Sequence, residues 1–175
     1  MTSDRPWHIT PLRAEHCLGL AECHIGCWRE AYRGLVPDHV LDAFDVDRRA
    51  EQWERIRAAT RAPDAVLVAL ADDAVVGFTG IRAIDEPAAV AERELNAMYV
   101  RAAWYGTGLA HDLMREVLDA RRNTALWVFE ENPRAQAFYR KYGFELDGAR
   151  RTERFSPSIE VRMLRPADAA PAHQG

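Results

Sequence analysis

The period of the apolar positions changes along the chain. Between residues 11 and 33, Cys17, Leu20, Ala21, His24, Cys27, Trp28 and Ala31 recur every three or four residues, the spacing that puts side chains on one face of a helix. Gly34 is a helix stop. Pro37-Asp38 restarts a short helical stretch that runs to Phe44, and Arg48 to Ala59 reads as a further helix with Trp53 and Ile56 directed inward. The first third of the chain is therefore expected to be helical. AVLVALA and AVVGFTGIRAI, within Ala65 to Ile84, are instead dense in β-branched residues and flank Asp72-Asp73, which predicts a β-hairpin turning at the two acids. RELNAMYV, Arg93 to Val100, predicts another strand; Leu109, Leu113, Val117 and Leu118 mark a helix after it; ALWVFEE, Ala125 to Glu131, returns to strand. Asn132-Pro133 is a cap followed by proline at the first helical position, and that helix runs to Tyr142 and stops at Gly143. Strands from Phe144 and from Ile159 complete the pattern. A single domain over residues 1–165 is expected, and a disordered tail over 166–175, which has no apolar face.

Composition narrows the classes of function. The chain has 175 residues, 48% hydrophobic and 29% charged, enough for one core of useful size. No apolar run approaches the roughly 18 residues of a membrane span, and MTSDRPWHIT lacks the basic-then-apolar order of a signal peptide. A cytoplasmic protein without a membrane partner is the expectation. A formal net charge of -4 argues against a nucleic-acid surface, whose footprint is usually basic. The three cysteines, Cys17, Cys23 and Cys27, are an odd set in one segment and read as free thiols. Cys23, His24 and Cys27 have ligand chemistry at helical spacing, but a fourth ligand is not evident, and packing is the better reading; no metal is expected. Trp28 and Tyr32, one turn apart, either line a pocket or pack a core. A homodimer is compatible with all of this.

One junction carries more specific chemistry. In YVRAAWYGTGLAHDLM, Tyr99 to Met114, an apolar run ends in Gly106-Thr107-Gly108 and passes directly into helical spacing. A strand, a glycine turn and a helix N-terminus together aim backbone N–H groups and the positive end of the helix dipole at one place, an arrangement suited to a diphosphate. A dinucleotide fingerprint fails, because His111 stands where the third glycine belongs and no βαβ unit opens the chain. A P-loop fails for want of a lysine in this segment.

Strand RELNAMYV, turn YGTGLA, a helix, strand ALWVFEEN and then PRAQAFYRKYGF resemble, in order and spacing, the core of the GNAT superfamily of acyl-CoA N-acyltransferases. The likeness covers residues 65–165, and WREAYRGLVPDHVLDAF is similar to the N-terminal helices of many bacterial members. It implies an α/β fold: a mixed, mainly antiparallel central sheet flanked by helices, with a splayed strand pair holding the pantetheine of coenzyme A. The family's phosphate signature is Gln or Arg, two residues, Gly, one residue, then Gly or Ala. Tyr105, Gly108 and Ala110 fill its positions, so the usual polar side chain is missing at Tyr105.

The implied reaction moves the acetyl group of acetyl-CoA to a primary amine, with a small-molecule acceptor preferred over a protein. An alkylamine with a pKa near about 10 must lose a proton before it attacks, and the resemblance assigns that proton to Glu94. Met98, Tyr99 and Val100 are implied to pair with the pantetheine as an added strand would, an amide near Met98 to polarise the thioester, and Tyr105, Gly106, Thr107, Gly108, Leu109 and Ala110 to hold the pyrophosphate. Tyr139 takes the place of the general acid for the departing thiolate and also meets the pantetheine; Asn132 caps the helix at Pro133 and bonds the pantetheine amides. The acceptor would be read by Trp28 to Phe44 and by the loop Arg151 to Ser158. A GNAT-like domain that binds acyl-CoA as a sensor or interaction module without turnover is the alternative.

Overall fold

The computed structural model describes residues 5–62, 65–152 and 157–168. Those residues form seven strands and five α-helices: β1 His8–Pro11, α1 Cys17–Tyr32, α2 Asp38–Asp42, α3 Val46–Ala59, β2 Val66–Ala71, β3 Ala74–Ala83, β4 Arg93–Val100, α4 Leu109–Val117, β5 Thr124–Phe129, α5 Pro133–Arg140, β6 Glu145–Thr152 and β7 Ile159–Arg165. The strands form one sheet in the order β1-β2-β3-β4-β5-β7-β6. Antiparallel pairing dominates, and β4 with β5 is a parallel pair. The mixed, mainly antiparallel α/β architecture is the one expected.

The described residues pack as two compact units, those within 1–81 and 97–117 and those within 82–96 and 118–175. In the first, alternate residues of β2 serve opposite faces of the sheet, as a two-residue period requires. Val68 and Leu70 join Phe78 of β3, Cys17, Leu20, Cys23 and Cys27 of α1 and Trp53 of α3. Ala69 and Ala71 join Val76, Val100, Trp7 and the α4 residues Leu109 and Leu113. At nine residues α4 is too short to hold alone in water; its buried Leu109, Leu113, Met114 and Val117 supply the stability. In the second unit β5 pairs with β7 along its whole length, Thr124 to Phe129, and with β4 at Thr124 and Ala125. Phe144, Leu126 and Met163 are fully buried there.

Local chemistry accounts for most boundaries. Asp72 and Asp73 both take positive φ, 46° and 63°, the turn that matches strand twist in a two-residue hairpin. The Asn132 side chain accepts from the Ala135 amide at 3.1 Å, with Pro133 in the first helical position. Gly143 follows at φ 84°.

Three expectations need correction. The first third is not wholly helical: β1 lies at its start, pairing His8 with Leu70 and Pro11 with Leu67, and α1 begins at Cys17 after a 3-10 turn at Ala14–His16. Four residues are too few for alternation to register, and β1 is recruited by the open edge of β2. Ile56 is 37% exposed rather than inward, because the core face of α3 runs through Val46, Ala50 and Trp53. The last two helices and the strand between them are shorter than the patterns suggest, α4 stopping at Val117, β5 at Phe129 and α5 at Arg140. Half of the Arg151 to Ser158 loop, at 153–156, and the tail after Asp168 fall outside the described residues.

Candidate functional site

In the first unit, the end of β4 leads through a 3-10 turn, Ala102–Trp104, into the glycine loop and α4. Two tethers fix this path. Glu30 of α1 accepts from the Arg101 guanidinium at 2.9 and 3.0 Å and, with its other oxygen, from the Ala102 amide at 2.8 Å. The Arg101 amide donates to the Val76 carbonyl at 2.9 Å. Within the loop, Gly106 and Gly108 take φ of 76° and 95°, a region L side chains rarely adopt. The Thr107 hydroxyl donates to the Trp104 carbonyl at 2.8 Å and lies 3.4 Å from the Leu109 amide. Asp112 closes the first α-helical bond, onto the Gly108 carbonyl. The start of α4 is thus presented bare of side chains at Gly106 and Gly108, with the N–H groups of a first turn at its mouth. Tyr105, 40% exposed, stands at its near end.

Met98, Tyr99 and Val100 close β4. The Thr79 hydroxyl donates to the Ala97 carbonyl at 3.0 Å. A Cβ at Gly77 would come within 3.0 Å of the Tyr99 carbonyl oxygen, so glycine permits this close approach of β3 to β4. The Tyr99 ring stacks on Phe78 at 5.4 Å, and its hydroxyl lies 3.2 Å from that of Tyr32. Around it gather Trp28 and His24, with centroids 6.4 and 5.6 Å away; Phe44 meets Trp28 edge-on. Trp28 and Tyr32 are therefore part of one aromatic cluster with Tyr99. Burial first, and then the charge of Arg49, push the His24 imidazole down to about 3, so this ring is neutral. Cys23 and Cys27 are buried, their sulfurs 3.9 Å apart, and all three cysteines are free. Among the described residues no group of three or more ligating side chains could hold a metal.

In the second unit Glu94 sits on β4 with its side chain 13% exposed, and the Arg82 guanidinium donates to its Oε2 at 2.7 and 3.3 Å. No sequence pattern announces that partner, which the β3 and β4 register brings across. Tyr139 lies on α5, edge-on to Phe138 and Phe144 at 5.6 and 6.0 Å. Gln136, buried on the same helix, donates to the Phe129 and Glu130 carbonyls at 3.3 and 2.9 Å, which docks α5 against the end of β5. Asn132 caps α5 through its Oδ1.

Residues 28–144 match the Acetyltransferase (GNAT) family. The chain belongs to that family of acetyltransferases. It is 29% identical over 121 residues to an uncharacterized N-acetyltransferase of Mycobacterium tuberculosis, a stretch that is 66% of this chain and 74% of the relative. Its fold is similar to that of the PaiA N-acetyltransferase from Thermoplasma acidophilum, solved in complex with coenzyme A, with a TM-score of 0.70 at 18% identity over 91% of this chain and 98% of that one. It is also similar to YncA from Salmonella typhimurium, solved with its cofactor acetyl-CoA, at TM-score 0.66 and 18% identity over 95% and 98%. No helix among the described residues is long and apolar enough to cross a membrane.

Proposed function

We propose that this chain transfers the acetyl group of acetyl-CoA to a primary amine, with a small molecule as the preferred acceptor. The observation that carries the reading is the turn from Tyr105 to Ala110: two positive-φ glycines deliver the first turn of a helix packed by Leu109 and Leu113, and the two solved neighbours were determined with coenzyme A or acetyl-CoA. The pyrophosphate is held by the amides of this turn, where proximity and the helix dipole favour an anion. The pantetheine pairs with backbone at Met98, Tyr99 and Val100, and Asn132 bonds its amides. An amide near Met98 polarises the thioester carbonyl.

Chemistry follows from the remaining groups. The amine nitrogen attacks the thioester carbon, and the carbon–sulfur bond breaks with its electron pair on sulfur. Tyr139 gives its phenolic proton to that thiolate. Glu94 takes the amine proton, directly or through water; since Arg82 engages Oε2, Oε1 is the oxygen that receives it. The aromatic cluster of Trp28, Tyr32, Phe44 and Tyr99 favours an acceptor with apolar body over a highly charged one. The test is thiol release from acetyl-CoA against a panel of small amines and N-terminal peptides. Turnover with a small amine is expected. Turnover with peptides alone would move the acceptor to protein, and coenzyme A binding without turnover on any amine would leave a sensor module.

A further inference from the structure

The geometry points to Arg5 as a side chain that brings a cation to the phosphate-facing turn from Tyr105 to Ala110. This rests on the reading that the 105–110 turn holds the pyrophosphate of coenzyme A. Arg5 is 102 residues from the turn in sequence, yet its Nη1 donates to the Thr107 carbonyl at 3.3 Å. A Cβ built on Gly108 would lie 2.8 Å from the same Nη1. The guanidinium is therefore at the lip of the turn, beside the residue whose backbone a phosphate must approach.

How Arg5 is held suits it to move onto an anion. Its Nε is 3.5 Å from Asp112 Oδ2, and both this and the carbonyl contact are long beside the ~2.7–2.9 Å of a strong charge-assisted bond. Asp112 is shared: Oδ1 takes Arg115 Nη1 at 3.1 Å, and Oδ2 takes the Trp7 indole N–H at 3.1 Å. One carboxylate thus faces two guanidinium groups, and that of Arg5 stands at the start of α4, where the helix dipole favours an anion. Trp7 gives Arg5 a fixed platform, with the guanidinium carbon 5.2 Å from its ring centroid. The ring is locked by its bond to Asp112 and by an edge-on contact with Trp104 at 5.7 Å. A planar fork over a fixed ring, next to a bare glycine turn, is apt for two adjacent phosphate oxygens.

The test measures coenzyme A and dephospho-coenzyme A binding by calorimetry across a salt series, for the unmodified protein, Arg5→Gln and Arg5→Lys. Arg5→Gln is expected to weaken both ligands by the same factor, at least about tenfold, since one charge-assisted contact is lost. It should also flatten the dependence of log Kd on log salt, a readout that a packing role would not move. Arg5→Lys should recover the salt slope and part of the affinity, because charge returns without the fork. Unchanged affinity in Arg5→Gln, or an unchanged salt slope, overturns the proposal. A loss confined to coenzyme A itself also overturns it, by moving the contact to the 3′-phosphate that dephospho-coenzyme A lacks. If the unmodified protein binds neither ligand, the coenzyme reading has failed, and the two failures are told apart in the first titration.

Discussion

Substituting Gly108 by alanine probes the turn by two separable effects. The φ of +95° is outside the range of an L residue, and the new Cβ would come 2.8 Å from Arg5 Nη1. The second contact is with the tip of a flexible side chain and is relieved if Arg5 swings aside, so backbone strain sets the stability cost, about 1–2 kcal/mol. For a chain of this size each kcal/mol moves the melting temperature by roughly 2–4 °C, giving a drop of about 2–8 °C. Gly34→Ala is the matched control, with φ +92° and nothing within 4 Å of the added Cβ; it should lose similar stability. Only Gly108→Ala also places a methyl group where phosphate approaches the backbone. Loss of one charge-assisted contact corresponds to about 10- to 100-fold in coenzyme A affinity. Calorimetric Kd values beside melting curves for both variants decide it. Equal coenzyme A affinity in the two variants would refute the assignment of the pyrophosphate to this turn.

The other expectations address the chemistry and the acid side of stability. Tyr139→Phe keeps the ring contacts with Phe138 and Phe144 and should leave acetyl-CoA affinity within a few-fold while lowering kcat by about 10²-fold, the usual worth of a general acid; an unchanged kcat under rate-limiting chemistry makes Tyr139 a packing residue. Glu94→Gln preserves size and the contact with Arg82 but removes the basic oxygen, so kcat/KM for the amine should fall and the ascending limb of its pH profile shift or vanish; a retained limb assigns it to the amine's own deprotonation. His24 is held at about 3 in the folded chain against roughly 6.5 unfolded, so the unfolded state binds its proton first and stability falls as pH drops from about 6.5 toward 3. Between pH 7 and 5.5 that amounts to about 1 kcal/mol by urea titration. His24→Phe should remove that increment, and an equal loss in the variant means another group is responsible.

Much of the fold and part of the site lie in local sequence, because the forces that set them act over a few residues. The acids at 72 and 73 tolerate the positive φ of a tight hairpin, Asn132 and Pro133 start α5, and Gly106 and Gly108 free the backbone before α4. RELNAMYV, read as a strand, is β4 from Arg93 to Val100. Tertiary structure decided what depends on distant partners. β1 exists because the edge of β2 offers a ladder, and four residues carry too little pattern to announce it. The exposure of Ile56 follows from which side of α3 meets α1. Arg82 reaches Glu94 only through strand register. Arg5 reaches Thr107 across 102 residues: an arginine in an N-terminal segment has no periodic or motif signature, and only the packing of Trp7 against α4 and Trp104 brings its charge to the turn.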